Sequence, residues 1–222
     1  MIIKVDIRKP KKETIEKAVK ILKKGGIIVY PTETAYGLGC DSFNVQAIKK
    51  IYEIKSRPLD QPLSVIVDSL KMIERIAFMQ ENAKLLIEKF HPGPLVIALK
   101  KKSLVPDVLN KDRIAFRISN NEFVQNIVRN LGKPIVSTSA NQTGFNSPYS
   151  IDDVLESIAE KAVDLIFDAG SLEKNKPSTI IDFVMQSSPQ IIRVGAISAK
   201  EIFQTLKIKE ECWDQHLTLT KE

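Results

Sequence analysis

Short apolar runs alternate along this chain with apolar residues spaced for a helix, and that alternation restricts the fold more than anything else. Ile15, Ala18, Val19 and Leu22 recur at i, i+3, i+4 and i+7, which predicts an amphipathic helix. Gly25-Gly26 closes it, because glycine accepts the left-handed conformation of a helix end. The run over 27–30 is too short for a helix and reads as a buried strand. A helix is expected over about 45–54 with Val45, Ile48 and Tyr52 inward, then a strand over 63–67 between Pro62 and Asp68. Ala83, Leu86, Ile87 and Phe90 predict a helix stopped by His91-Pro92-Gly93-Pro94, and 95–99 the next strand. The second half repeats the grammar: a strand over 114–118, a helix through Val124, Ile127, Val128 and Leu131 closed by Gly132, and a strand over 134–136. Val154, Leu155, Ile158 and Ala159 mark another helix. Strands over 165–167, 179–184 and 191–194 follow, then a helix over 199–206. Alternating strands and helices imply an α/β domain. The late strands, with no helix between them, point to antiparallel additions. The expected fold is therefore a single-domain, twisted, mixed parallel/antiparallel sheet flanked by helices. It would occupy residues 1–206, with 207–222 a polar tail that is mobile or loosely docked. Trp213 reads as an anchor for that tail or as a hook for a partner, and the anchor is the simpler account.

Composition narrows the class. The chain has 222 residues, of which 43% are apolar, enough for a substantial core without crosslinks. Cys40 and Cys212 are its two cysteines and fit no zinc or redox spacing, so they read as free thiols of a reducing compartment. The first residues carry charge and no signal-type apolar block, and no run approaches the ~20 apolar residues of a membrane span. A cytoplasmic protein without a membrane partner is expected. The net charge of +6 includes an early cluster at Lys9, Lys11, Lys12, Lys17, Lys20, Lys23 and Lys24. It reads either as a solvated helix face or as attraction for a nucleotide or RNA.

No phosphate loop of the Walker type and no dinucleotide glycine fingerprint is present. With His91 and His216 as the only two histidines, a histidine metal site or a Ser-His-Asp triad is disfavoured. No metal ligands are assigned. His91 reads as a half-buried helix terminator. Three segments remain, each following an apolar run, where ligands gather in open α/β sheets. Pro31-Thr32-Glu33-Thr34-Ala35-Tyr36-Gly37-Leu38-Gly39 offers donors, acceptors and close backbone approach, or is an ordinary turn. Lys55-Ser56-Arg57-Pro58 can embrace phosphate oxygens, or answers a helix dipole. Ser137-Thr138-Ser139-Ala140-Asn141 can cradle phosphate or ribose, or caps the next segment.

In this order, and joined by Pro92-Gly93-Pro94, Ala115-Phe116-Arg117, Gly132-Lys133-Pro134-Ile135-Val136, Pro177-Ser178-Thr179-Ile180 and Ile192-Arg193-Val194-Gly195, these segments resemble the YrdC/TsaC-type threonylcarbamoyl-adenylate synthases. The likeness runs to about residue 206 and is to the short form, without the extra C-terminal domain of longer relatives. It implies the YrdC-like (DHBP-synthase-like) fold. It also implies an ATP-binding nucleotidyltransferase that joins L-threonine, bicarbonate and ATP into threonylcarbamoyl-AMP and pyrophosphate. Mg²⁺ would accompany ATP. Partner proteins would transfer the group to adenosine 37 of tRNA, with tRNA or double-stranded RNA as a further partner. By matching position, Thr34, Arg117, Ser137 and Ser178 would surround threonine, and Arg57, Gln61, Arg113, Ser139, Asn141, Ser147 and Arg193 would hold ATP. Lys55 and Arg57 would serve the reaction itself.

The residue chemistry agrees: a carboxylate calls for an arginine, and a triphosphate for several cations. Many relatives have asparagine at Gln61, histidine at Ile66 and a smaller residue at Arg113. Ile66 cannot supply an imidazole hydrogen bond. Three rivals follow: an RNA-binding or ribosome-maturation factor, a sister enzyme using another carbamoyl donor such as carbamoyl phosphate, and, least favoured, a non-catalytic regulator that only binds nucleotide. Aromatics at 6%, with no aromatic-basic stacking motif, weigh against the first.

Overall fold

Apolar runs that are buried on both faces must pair edge to edge to satisfy their backbone groups. In the computed structural model, which describes residues 1–185 and 188–218, they do so in one ten-stranded sheet. In chain order the elements are β1 (Ile2–Lys4), α1 (Lys12–Lys23), β2 (Ile28–Pro31), β3 (Tyr36–Gly39), α2 (Val45–Ile54), β4 (Ser64–Ile66), α3 (Leu70–Ile76), α4 (Glu81–Phe90) and β5 (Leu95–Lys100). There follow β6 (Arg113–Arg117), α5 (Glu122–Leu131), β7 (Ile135–Ser139), α6 (Ile151–Ser157), β8 (Leu165–Asp168), β9 (Thr179–Asp182), β10 (Gln190–Arg193) and α7 (Ala199–Thr205). The strand order is β1-β8-β2-β3-β7-β4-β6-β5-β9-β10. β1/β8, β8/β2, β4/β6 and β5/β9 are parallel. The other neighbours are antiparallel, so the sheet is mixed, as expected.

Most helices form where the stripes predict, but α6 ends at Ser157, before the expected Ile158 and Ala159, and leaves Leu155 exposed. α1 buries Ile15, Ala18, Val19 and Leu22, each large aliphatic contributing roughly 1.5–3 kcal/mol. The lysines along it are all exposed. The Asn121 side chain caps α5, and Gly132 ends it at φ 70°, where only glycine is unstrained. At α2 the inward residues are Ala47, Ile48, Ile51 and Tyr52, while Val45 in the first turn is 39% exposed.

Several elements depart from the sequence reading. Tyr36–Gly39 is a buried strand, not part of a loop: its glycines make room for a neighbouring ring and do not mark a turn. β1 and α3 are short, and neither was expected. β9 stops at Asp182, where the sequence predicts a strand to 184, because the Asp182 carboxylate turns the chain by accepting from the Val184 and Met185 amides. The tail is docked as far as residue 218. Trp213 stacks on Phe203 with centroids 5.3 Å apart, and the Thr218 amide donates to Ile191 O at 3.0 Å. The tail residues 219–222 lie outside the described residues.

Register then determines what each face of the sheet carries. Ser139 is opposite Gly37; Ser64 pairs with both Ser137 and Ala115; Arg117 pairs with Ile66; Tyr30 pairs with Gly37. Directly paired residues share a face, as do alternate residues of one strand. One face therefore carries Tyr30, Gly37, Ser64, Ile66, Arg113, Ala115, Arg117, Ile135, Ser137 and Ser139. The opposite face carries Val29, Leu38, Val65, Ile97, Phe116 and Val136, all within the core. The face that carries the polar residues is where a ligand can approach the backbone.

Candidate functional site

The β2–β3 connection is short and internally bonded. Thr32 Oγ1 accepts from the Thr34 and Ala35 amides, both at 3.2 Å, and donates to Ala35 O at 2.6 Å. With that proton committed, Thr34 Oγ1, 3.1 Å away, donates to Thr32. Beneath it the Tyr30 ring lies across β3. A Cβ on Gly37 would come 3.0 Å from Tyr30 Cζ, and one on Gly39 would come 2.4 Å from Val136 O. Tyr30 Oη donates to Val136 O at 3.2 Å. Burial pushes its phenol up to about 12, with Ser137 and Arg117 opposing.

The end of α2 brings the second segment against the third. The Ser56 amide donates to Glu53 O and the Arg57 amide to Tyr52 O, the paired bonds of a Schellman cap. Ser56 occupies the left-handed position, at φ 47°. This reversal buries Lys55, whose Nζ donates to Ser139 O at 2.7 Å and Asn141 O at 2.6 Å, with Asn141 Oδ1 at 3.4 Å. Three ammonium protons thus face three oxygens, and Lys55 holds the end of β7 instead of projecting into the cleft. Burial, and then the Arg57 cation, push its ammonium down to about 7. Thr143 closes the circuit through its amide and hydroxyl to Lys55 O. Arg57 is held by Gln61 O at 3.0 Å and Pro62 O at 3.2 Å, and burial lowers its pKa. The Gln61 side chain is exposed.

Arg117, at the end of β6, is buried and ion-paired with Glu33 of the β2–β3 turn. The other Glu33 oxygen accepts from Ser119 Oγ at 2.5 Å, and Glu33 O accepts from Asn175 Nδ2 at 3.0 Å. Burial pulls the guanidinium down to about 10, against the favourable influence of Tyr30. Thr34, Arg117 and Ser137 are therefore gathered around Tyr30 and Glu33. Ser178 is buried beyond them, and its carbonyl accepts from Arg193 Nε at 3.1 Å. Arg57, Ser139 and Asn141 meet through Lys55. Ser147 is exposed on the loop that returns to β3, where the Tyr36 amide donates to Pro148 O. Arg113 stands apart, paired at 2.5 Å with Asp182. It lines an open groove of about 760 Å³ with Lys100, Lys101, Lys102 and Lys111. Among the described residues no three His, Cys, Asp or Glu side chains converge as a metal site. His91 is half-buried after α4, as a helix terminator should be, with Nε2 2.8 Å from Leu95 O.

Sequence reasoning did not pair Glu33, Ser119 and Asn175 with anything. No local signal could do so, since the residues that Glu33 meets lie more than eighty positions along the chain.

Comparison with known proteins identifies the family. The model of the Sua5/YciO/YrdC family, described as "Telomere recombination", matches residues 20–195. The chain belongs to that family. A putative threonylcarbamoyl-AMP synthase of Methanocaldococcus jannaschii is 39% identical over 172 residues, covering 77% of this chain and 81% of that protein. The crystal structure of Pyrococcus abyssi Sua5 complexed with L-threonine superposes with TM-score 0.86 at 32% identity, covering 92% of this chain and 60% of that one. Escherichia coli YciO superposes with TM-score 0.80 at 30% identity over 91% of this chain and 98% of its own. This chain thus spans about three fifths of the Sua5 relative and nearly all of YciO. The Sua5/YciO/YrdC fold accounts for the mixed sheet flanked by helices.

Proposed function

We propose that this Sua5/YciO/YrdC protein is an L-threonylcarbamoyladenylate synthase. The single observation that carries the reading is Arg117: a buried guanidinium at the end of β6, ion-paired with a carboxylate of the β2–β3 turn. An arginine in that setting reads a substrate carboxylate by a charge-assisted, bidentate contact. Thr34 follows Glu33 in the turn, Ser137 meets Tyr30 on the same face, and Ser178 completes the proposed threonine set. The naming of the M. jannaschii relative and the L-threonine complex of P. abyssi Sua5 support the assignment.

ATP would lie against Arg57, Ser139, Asn141, Ser147 and Arg193, with Gln61 and Arg113 at its margin. Mg²⁺ would enter as the counter-ion of ATP, supplying charge neutralisation at its phosphates. Threonine's neutral amine takes up bicarbonate, releasing water and leaving a carbamate. A carbamate oxygen attacks the α-phosphorus, and pyrophosphate departs with the broken P–O bond. The protein's contribution is positioning and charge neutralisation. In this scheme Arg117 holds the carboxylate and Arg57 meets the phosphates. Lys55 is a positioning residue that keeps Ser139 and Asn141 in place. Partner proteins would pass the threonylcarbamoyl group to adenosine 37 of tRNA.

A second reading, RNA binding, has one observation in its favour: the groove lined by four lysines. Two of its cations, Lys101 and Arg113, are already paired with Asp107 and Asp182, which weakens it. Pyrophosphate release from ATP, with threonine or bicarbonate omitted in turn, tests the synthase reading. Dependence on both is expected. ATP turnover indifferent to threonine, or driven by carbamoyl phosphate instead, would overturn it.

A further inference from the structure

The carboxylate that occupies Arg117 belongs to the protein itself, and this has a consequence for substrate affinity. We propose that Glu33 is an internal competitor for Arg117, a built-in mimic of the substrate carboxylate that an α-amino acid must displace in order to bind. The proposal rests on the reading of Arg117 as the carboxylate-recognition group.

Three observations carry it. The ion pair is shielded, with side-chain exposures of 7% for Arg117 and 13% for Glu33, so solvent does little to weaken it. Glu33 is also held by Ser119 Oγ at 2.5 Å, and its carbonyl by Asn175. Its carboxylate is thus aimed at the guanidinium, not casually near it. Finally, the residue sits in a turn whose next member is Thr34, itself assigned to threonine. Thr34 is tied to Thr32 through its amide at 3.2 Å and its hydroxyl contact at 3.1 Å, so movement of Glu33 is felt within one residue of a substrate contact.

The physical logic is reciprocal. A buried guanidinium without a counter-ion is costly, so Glu33 stabilises the empty site. The same contact must be given up, or shared with a second negative carboxylate at close range, when substrate arrives. Either way the observed affinity is the intrinsic affinity reduced by the fraction of molecules in which Arg117 is available.

The test is Glu33→Gln, which keeps the shape and the Ser119 contact but removes the charge. Binding of L-threonine to the full chain is measured by calorimetry, beside the L-threonine-induced rise in melting temperature. Competition predicts tighter binding by the variant, by about fivefold or more, and a larger thermal shift by threonine even if the ligand-free variant melts earlier. Unchanged or weaker binding by Glu33→Gln would overturn the proposal, because a residue that merely holds Arg117 in place has the opposite sign. If neither protein binds threonine, the synthase reading falls as well, so the two failures are distinguishable.

Discussion

Lys55 and Arg117 are both buried cations, exposed by only 2% and 6%, yet they are neutralised by different means. Lys55 is surrounded by neutral oxygens of Ser139 and Asn141, all fixed in one short segment. Arg117 is met by the carboxylate of Glu33 in the half-buried β2–β3 turn. Carbonyl oxygens of a strand end cannot leave without unravelling the strand, whereas a glutamate side chain can rotate away. The difference separates a cation that builds the site from a cation available for exchange.

The largest expected effect breaks the exchangeable half. Arg117→Met alone strands Glu33 and should cost about 3–5 kcal/mol, the range for a broken buried pair. Combined with Glu33→Gln, which removes both charges, it should return to within about 1 kcal/mol of wild type in urea unfolding. That double variant should still lose threonine-dependent pyrophosphate release by roughly 100-fold or more, since no group remains to read the carboxylate. Retained activity in a folded double variant would remove Arg117 from the site.

Lys55→Met breaks the other half. It leaves the buried acceptors of Ser139 and Asn141 without their donor, a loss of about 3 kcal/mol. Activity should fall at the growth temperature and recover on cooling to within about tenfold of wild type, because positioning, not chemistry, is lost. Loss of activity in a fully folded variant at every temperature would instead make Lys55 a group that touches substrate.

How far these roles could be read from sequence depends on the range of the interaction. Periodicity located α1, α2, α4 and α5 because their stripes are local. Lys55, Arg57 and Ser139 stood out because a cation or hydroxyl cluster after an apolar run is unusual at any range, whereas Arg117 entered only through the family resemblance. β3 was not legible: Gly37 and Gly39 are there for the Tyr30 ring, a cross-strand reason that a turn-residue rule misreads. The Glu33–Arg117 pair and the Lys55 clamp were equally hidden, since each joins segments that only sheet order brings together.

A pH titration of stability sharpens the same contrast. The Lys55 pKa in the folded protein lies near 7, below the ordinary lysine value of 10.5. Between those values the unfolded chain binds more protons than the folded one, so this group makes stability rise with pH. The usable window is about pH 7 to 9. Above it the Cys40 thiol and the Tyr30 phenol, both pushed up by burial, act in the opposite direction as the unfolded chain ionises first. Urea unfolding should therefore show stability rising from pH 7 to 9 in the wild type and a flatter profile in Lys55→Met. A flat wild-type profile would mean that the oxygens around Lys55 retain its proton against burial, strengthening the clamp.

The smallest effect concerns the turn that delivers both Lys55 and Arg57. Ser56 holds φ 47° at the one position of the Schellman cap where a Cβ is disfavoured, at a cost of roughly 1–2 kcal/mol. Ser56→Gly relieves that strain but adds freedom to the unfolded chain, worth roughly 0.5–1 kcal/mol the other way. A net gain of about 0.5 kcal/mol is expected, a rise of roughly 1–2 °C in melting temperature for a chain of this size. If the strain is only the incidental cost of ending α2 where it does, ATP and threonine kinetics will not change. If instead the serine Cβ stiffens the reversal so that Arg57 stays aligned over Gln61 O and Pro62 O, the glycine variant will be more stable and yet show a raised KM for ATP with kcat little changed. Stability and substrate binding moving in opposite directions from one exposed side chain would place the strain in the service of the phosphate contacts and leave the Arg117 end of the site untouched.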